Sequence, residues 1–99
     1  MQPYADRLRE DQRLTILAIL RQSAEYTANE HALRDALRAF GHTVSADQLR
    51  AHLAWLDEQG CLVLHAGDIQ IALLTLRGED VATGAARLPG VARPRPPGF

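Results

Sequence analysis

Four neighbouring side chains near the start of one predicted helix have the chemistry to contact nucleic acid. The helix covers residues 45–59 and reads SADQLRAHLAWLDEQ. A glutamine amide pairs with the edge of adenine and an arginine guanidinium with that of guanine, which makes Gln48 and Arg50 candidates for base contacts. Ser45 and Ala51 are small enough to let the helix backbone approach a groove. Helices that read DNA present their N-terminal residues in this way.

Two arginines on the preceding predicted helix are candidates for phosphate contacts. Arg34 and Arg38 are four residues apart, which places them one turn apart on the same helix face. Arginine side chains that contact phosphates position a protein on the duplex without reading its sequence. The same spacing is also typical of a solvated helix surface, so both interpretations stay open here.

The cysteine and histidine pattern predicts no metal site. Cys61 and His65 share a predicted strand and lie four residues apart, which is about 13 Å at about 3.3 Å per residue. That distance is too long for two ligands of one ion. Histidines 31, 42 and 52 have no chelating spacing. The sequence also has no nucleophile–base pattern and no glycine-rich phosphate loop, so we expect neither an enzyme nor a cofactor.

The charge distribution supports DNA binding only in part. The chain of 99 residues has a net charge of −1 and contains no lysine. Residues 1–80 carry eight arginines against twelve carboxylates, a net of −4, whereas residues 81–99 carry three arginines and no acid. Asp47 and Glu58 fall on the outward face of the helix over 45–59. An acidic body lowers non-specific affinity for DNA, because neutralised phosphates supply most of that affinity.

Periodicity and capping signals predict helices, a hairpin and a last short helix. The residues S-A-D-Q (45–48) have capping-box spacing, and T-A-N-E (27–30) has the same spacing, with Asn29 as a rival cap. Gly41 and Gly60 end the helices before them. The sequence predicts three helices, over residues 4–23, from the cap at 27–30 to residue 40, and over 45–59. Two strands follow over 61–65 and 69–75, joined by a three-residue loop, and a last short helix is capped by Thr75.

This order of elements predicts a mainly α fold with a small β-hairpin, the winged helix-turn-helix. Three helices form the core, two strands form the wing, and a short helix follows. We place this domain over residues 1–86. Residues 87–99 contain four prolines and three arginines, and we expect an extended or disordered tail. Arg93 and Arg95 could follow a DNA groove, the prolines could dock on a protein partner, or the tail could have no function.

The chain has no signal for export or for membrane insertion. Its longest uninterrupted apolar run is residues 16–20, far shorter than a membrane span. The first residues, MQPYADRLRE, lack the apolar core of a signal peptide. A single cysteine fits a reducing compartment. We therefore expect a cytoplasmic protein that does not contact a membrane.

Several phrases resemble known regulators. Residues 45–63 fill the pattern S-x-x-x-L-x-x-x-L-x-x-L-x-x-x-G-x-L-V, and LTLRGEDVA (74–82) is similar to the segment L-T-x-x-G-x-x-x-A. Both resemble winged-helix bacterial regulators. REDQRLTILAILRQS, LAWLDEQG and PGVARP resemble small winged-helix proteins of Mu-like phages and prophages, which are labelled as similar to the ArsR family. The two closely spaced cysteines of the ArsR metal signature are absent from the sequence, so no metal sensing carries over.

This resemblance implies DNA binding in transcriptional control and a homodimer in the host-cell cytoplasm. Regulators of this type commonly pair through terminal helices, and the first predicted helix shows more apolar surface than one small core needs. We therefore take Leu17 and Trp55 as candidate interface residues. Trp55 lies on a flank of its helix, where it could anchor a partner or pack half-buried under the hairpin.

Two functions follow from the sequence. The first is a cofactor-free regulator that binds double-stranded DNA through the helix over residues 45–59. The second is a winged-helix interaction module without significant DNA affinity. In that case Trp55 and the acidic helix face, or the C-terminal tail, bind a protein.

Overall fold

The computed structural model describes residues 3–95, which form an α+β fold of four helices and one three-stranded antiparallel sheet. The elements are α1 (Tyr4–Gln22), β1 (Thr27–Asn29), α2 (Glu30–Ala39), α3 (Ala46–Glu58), β2 (Leu62–His65), β3 (Ile71–Leu74) and α4 (Leu76–Thr83). One turn of 3₁₀ helix at Ala24–Tyr26 joins α1 to β1. The predicted combination of a helical core with a small antiparallel hairpin is confirmed.

The start of α3 is fixed by the predicted capping box. The Ser45 Oγ accepts a hydrogen bond from the backbone N–H of Gln48 at 3.1 Å, and the Gln48 Oε1 accepts one from the N–H of Ser45 at 2.8 Å. Two N–H groups that the helix leaves unpaired are thereby satisfied. Both side chains are therefore held in place at the N-terminal end of α3.

The sheet contains a strand that the sequence did not predict. β1 pairs antiparallel with β3, so the strand order is β1-β3-β2. Thr27 lies in that strand, and the cap of α2 is Asn29, whose side chain accepts from the N–H of Ala32 at 2.8 Å. Three residues are too few to show the alternation of a strand. In addition, the spacing of Thr27 and Glu30 predicted a helix cap where β1 lies. The loop between β2 and β3 covers residues 66–70, two more than predicted.

The core lies between the helices and the inner face of the sheet. Its fully enclosed aliphatic side chains come from α1, α2, α3 and β2: Ile16, Leu17, Leu20, Leu33, Leu37, Leu53 and Leu56, with Leu49 and Leu62 almost as deep. Leu17 has 0% of its surface exposed. Its prediction as an interface residue is therefore wrong, because α1 is covered by α2, α4 and β3 at once.

The chain continues to pack on the body after α4. Leu88 and Val91 are buried in the same core, and the N–H of Ala92 donates to the carbonyl of Glu10 on α1 at 3.2 Å. The predicted domain end at residue 86 is therefore too early. Up to Arg95 this segment forms neither helix nor strand, as its prolines require, but they do not prevent its apolar side chains from packing. Residues 96–99 of the predicted tail lie outside the described residues.

Candidate nucleic-acid interface

The four candidate base contacts lie together at one end of α3. Ser45, Gln48, Arg50 and Ala51 are all exposed on its N-terminal half, and Asp47 is exposed among them. The inward face of the same helix is occupied by buried leucines. All four residues are therefore accessible at this end of α3, with Gln48 on the flank that faces α1 and Arg50 on the flank that faces Glu30 of α2.

Arg50 is held by Glu30, which the sequence predicts only as the last residue of a capping box over 27–30. Its Nε donates to Glu30 Oε2 at 2.7 Å and its Nη2 to Glu30 Oε1 at 2.8 Å. Glu30 Oε1 also accepts from the backbone N–H of Gln70 at 3.1 Å. The guanidinium of Arg50, followed by the N–H of Gln70, lowers the pKa of Glu30 to about 2. Glu30, at the start of α2, therefore ties α3 to the end of the hairpin loop.

The contacts of Glu30 with Arg50 and Gln70, which we call the clamp, orient Arg50 and offset its charge. The Arg50 side chain remains 47% exposed, whereas that of Glu30 is 7% exposed. The Nη1 atom of Arg50 has no hydrogen-bond partner within residues 3–95. A fixed, charge-compensated guanidinium is better suited to a directional hydrogen bond than to long-range attraction of phosphate.

The two candidate phosphate contacts already have partners. Arg34 Nε donates to the carbonyl of Val44 at 2.8 Å, which holds the link between α2 and α3. Arg38 Nη1 lies 3.4 Å from Asp35 Oδ1, and both side chains are mostly exposed. An exposed ion pair of this kind contributes little stability. Arg34 thus lies beside the start of α3, and Arg38 is one turn away with its charge partly compensated.

Trp55 is covered by α1 and the C-terminal segment. The Arg13 guanidinium carbon lies 4.0 Å from the centroid of the Trp55 ring, and Arg13 Nη1 donates to the carbonyl of Gly90 at 3.0 Å. A Cβ on Gly90 would lie 2.7 Å from two ring carbons, so the glycine permits this close packing. Trp55 stays half-buried, and its exposed part faces a groove.

That groove lies between α1 and α3 and has a volume of about 450 Å³. Its walls are Ala5, Leu8, Arg9, Gln12, Arg13, Gln48, Ala51, His52 and Trp55. Two of the predicted contacts, Gln48 and Ala51, therefore line it. We call these nine residues the α1–α3 groove. The α1 side was missed because nothing in the sequence shows which face of α1 lies against α3.

A buried polar chain forms the floor of the groove. Arg13 Nε donates to His52 Nδ1 at 3.2 Å, and His52 Nε2 lies 2.8 Å from Gln12 Oε1. Because a guanidinium only donates, Nδ1 must accept and Nε2 carries the proton. Burial, then the charges of Arg13 and Arg9, lower the pKa of His52 to about 4. The ring is therefore neutral at pH 7.

The neutral ring predicts a stability that falls with acidification. An unfolded histidine binds a proton below a pKa of about 6.5, whereas folded His52 does so only below about 4. The contribution of His52 to the free energy of unfolding is therefore complete above pH 6.5 and is lost as the pH falls toward 4. Between pH 7 and pH 5 we expect the free energy of unfolding to fall by about 1 kcal/mol more in the wild-type protein than in His52→Gln. This figure is reduced to account for partial screening by solvent. Urea unfolding at both pH values measures this, and equal losses would contradict it.

The comparisons place the chain among phage proteins. It is 46% identical over 92 residues to uncharacterized protein gp26 of Escherichia phage Mu, which covers 92% of this chain and 95% of that protein. The chain belongs to the gp26 family. The gp26-family chain is also 43% identical over 61 residues to an uncharacterized protein of Haemophilus influenzae strain Rd, covering 62% of this chain and 59% of that one. No family model matches. The predicted phage-type relationship is confirmed.

Two further properties of this gp26-family protein concern residues 3–95. No helix there is long and apolar enough to cross a bilayer. No group of three or more His, Cys, Asp or Glu side chains in that range could hold a metal ion.

Proposed function

We propose that this protein is a winged helix-turn-helix DNA-binding protein that acts as a phage-type transcriptional regulator. The observation that carries the proposal is the exposed start of α3, where the N-cap Ser45 and the helix residues Gln48, Arg50 and Ala51 are all accessible. In this proposal α3 enters the major groove, as recognition helices do.

The arrangement around α3 supports a winged helix-turn-helix. A short link, residues 40–45, joins α2 to α3, which suits a helix-turn-helix. The β2–β3 hairpin follows α3 directly and corresponds to a wing. The clamp of Glu30 on Arg50 and Gln70 holds all three parts in one orientation.

Each candidate residue has a role that its geometry suits. The free Nη1 of Arg50 donates to a guanine edge, and the amide nitrogen of Gln48 donates to an acceptor on a base or the backbone. Arg34 and Arg38 lie on the neighbouring helix and contact phosphate. No cofactor and no catalytic step is part of this proposal.

Reversing the charge of Asp47 tests the proposal by a gain of affinity, which misfolding cannot imitate. Asp47→Lys replaces a carboxylate on the exposed face of α3 by a cation. We expect DNA affinity to rise about three- to tenfold at about 0.1 M salt and the salt slope to steepen by about 0.9, as for one added phosphate contact. Binding of labelled genomic duplex fragments across a salt series measures both quantities.

Asp11→Lys is the matched control, because Asp11 is exposed on α1 and the change in net charge is the same. It reports the effect of net charge alone, and we expect it to change affinity by less than about twofold. Equal gains for the two variants would contradict docking through α3. No binding by wild type or either variant at low salt would contradict DNA binding altogether.

A second candidate function is a protein-interaction module, and the compensated arginines favour it. Arg50 is paired with Glu30, Arg34 is bonded to a carbonyl, and Arg38 is paired with Asp35. The outward face of α3 then presents Asp47 and Glu58, which form no ion pair within residues 3–95, although the charge of Asp47 also acts on Arg50. In this case the acidic face of α3 and the exposed part of Trp55 bind a protein. The absence of DNA binding in the experiment above would favour it.

The homodimer and the cytoplasmic location belong to the proposal and come from the resemblance. Leu17 cannot contribute to such a dimer, because it has no exposed surface. Trp55 keeps an exposed part and can contribute.

A further inference from the structure

We infer that the α1–α3 groove is a binding site for a phosphate group that carries an organic substituent. The site is built from the groove's own hydrogen-bond donors. Only its assignment to a phosphate of the DNA backbone rests on the proposed function. A free phosphate ester presents the same chemistry, and the experiment separates the two sources.

The two glutamines of the groove are fixed with their donors free. His52 Nε2 carries a proton, so the Gln12 oxygen must accept it, and the Gln12 amide nitrogen is left over. The Gln48 oxygen is likewise used by the N–H of Ser45. Neither amide nitrogen has a partner within residues 3–95. Each glutamine therefore offers two amide N–H donors to a ligand, whereas its oxygen already accepts one hydrogen bond.

The charged groups of the groove are cationic. Arg9 and Arg13 line it, and no carboxylate does. Arg13 uses Nε for His52 and Nη1 for Gly90, which leaves Nη2 without a hydrogen-bond partner in the described structure. Arg9 is bonded to the exposed Asp6 outside the groove lining. Neutral His52 has both ring nitrogens occupied, so it adds no free acceptor.

This distribution selects an acceptor-rich anion. A site whose fully unpaired polar groups are donors, and whose charges are guanidinium groups, disfavours cationic ligands. A phosphate supplies acceptor oxygens and negative charge together, and guanidinium groups bind it well. A carboxylate-lined or mixed groove would not make this distinction.

The size and walls of the groove call for more than inorganic phosphate. A volume of about 450 Å³ lies within the range of small-ligand sites. Leu8, Ala51 and the exposed part of Trp55 provide apolar surface beside the donors. A sugar or a similar group attached to the phosphate would cover that surface. The site therefore fits one phosphate with its adjoining sugar.

Gln48→Glu tests the site without removing the cap of α3. A glutamate oxygen still accepts from the N–H of Ser45, as capping boxes with glutamate do, but the donor becomes a negative oxygen. Gln22→Glu is the matched control, because Gln22 is exposed at the end of α1 and lies outside the groove. The ligands are adenosine 5′-monophosphate and inorganic phosphate, titrated at constant ionic strength.

The first readout is the NMR signal of the side-chain amides of Gln12 and Gln48 and of the Arg13 Nε–H. We expect saturable shifts with the monophosphate and weaker ones with inorganic phosphate. Gln48→Glu should weaken monophosphate binding by about tenfold or more, because a charge-assisted donor becomes a repelling group. Gln22→Glu should stay within about twofold of wild type.

The second readout is duplex DNA across the same salt series. If the groove holds a backbone phosphate, Gln48→Glu lowers the salt slope by about 0.9 and Gln22→Glu leaves it unchanged. Phosphate-ester binding without DNA binding supports the groove and contradicts the proposed function. DNA binding with equal slopes for both variants, together with no ligand-induced shift at Gln12, overturns the groove and leaves the proposed function standing.

Discussion

Gly78→Ala is expected to destabilise the protein by more than about 3 kcal/mol. Gly78 is buried in the first turn of α4, where a Cβ would lie 1.9 Å from the carbonyl oxygen of Cys61 and 2.6 Å from a methyl carbon of Leu74. The Cys61 oxygen cannot retreat freely, because it accepts from the N–H of Thr75 at 3.1 Å. Relief of the clash would separate α4 from the start of β2.

The sign of this effect separates packing from helix propensity. Alanine is favoured over glycine inside a helix by about 1 kcal/mol, so propensity alone predicts stabilisation. The matched control is Gly67→Ala in the hairpin loop, where the added Cβ meets only Ile69 O at 3.6 Å. We expect that change to stay within about 0.5 kcal/mol of wild type. Urea unfolding of both variants measures the difference, and similar unfolding midpoints would contradict the close contact between Gly78 and Cys61.

The long elements could be predicted from the sequence because their signals are local. Leu49, Leu53 and Leu56 repeat with the period of a helix, and the capping box at Ser45 lies within four residues. β1 has only three residues, and its pairing partner β3 begins more than forty residues later. A strand of that length shows no alternation, so its existence depends on tertiary pairing that local patterns do not report.

The candidate site likewise has a part that local sequence signals predict and a part that depends on how the helices pack. The exposed half of α3 could be predicted because all four residues lie on one helix. The clamp joins Glu30 to Arg50 and the groove joins Arg13 to His52, 39 residues apart. Those pairs depend on how the helices pack. Leu17 was misjudged for a related reason, since a wide apolar stripe on α1 serves several neighbours within the same chain.

Arg13→Ala is expected to have the second-largest effect, a loss of about 2–3 kcal/mol of stability. Three contacts end at this side chain: a hydrogen bond to buried His52, a hydrogen bond to the carbonyl of Gly90, and stacking over Trp55. Its removal leaves His52 Nδ1 without a donor and uncovers one face of the indole ring. Arg7→Ala is the control, because Arg7 is exposed on the same helix, and we expect a change within about 0.5 kcal/mol.

Hydrogen exchange shows where the Arg13 effect is located. The N–H of Ala92 is bonded to Glu10 and should lose protection first, because the bond from Arg13 to Gly90 holds the same segment on α1. The N–H of Leu37 lies in α2 and should keep protection until the protein unfolds as a whole. Equal loss at both amides would mean that Arg13 supports the core generally. Loss confined to Ala92 would mean that one side chain joins the floor of the groove to the C-terminal segment, so that a ligand engaging Arg13 acts on both.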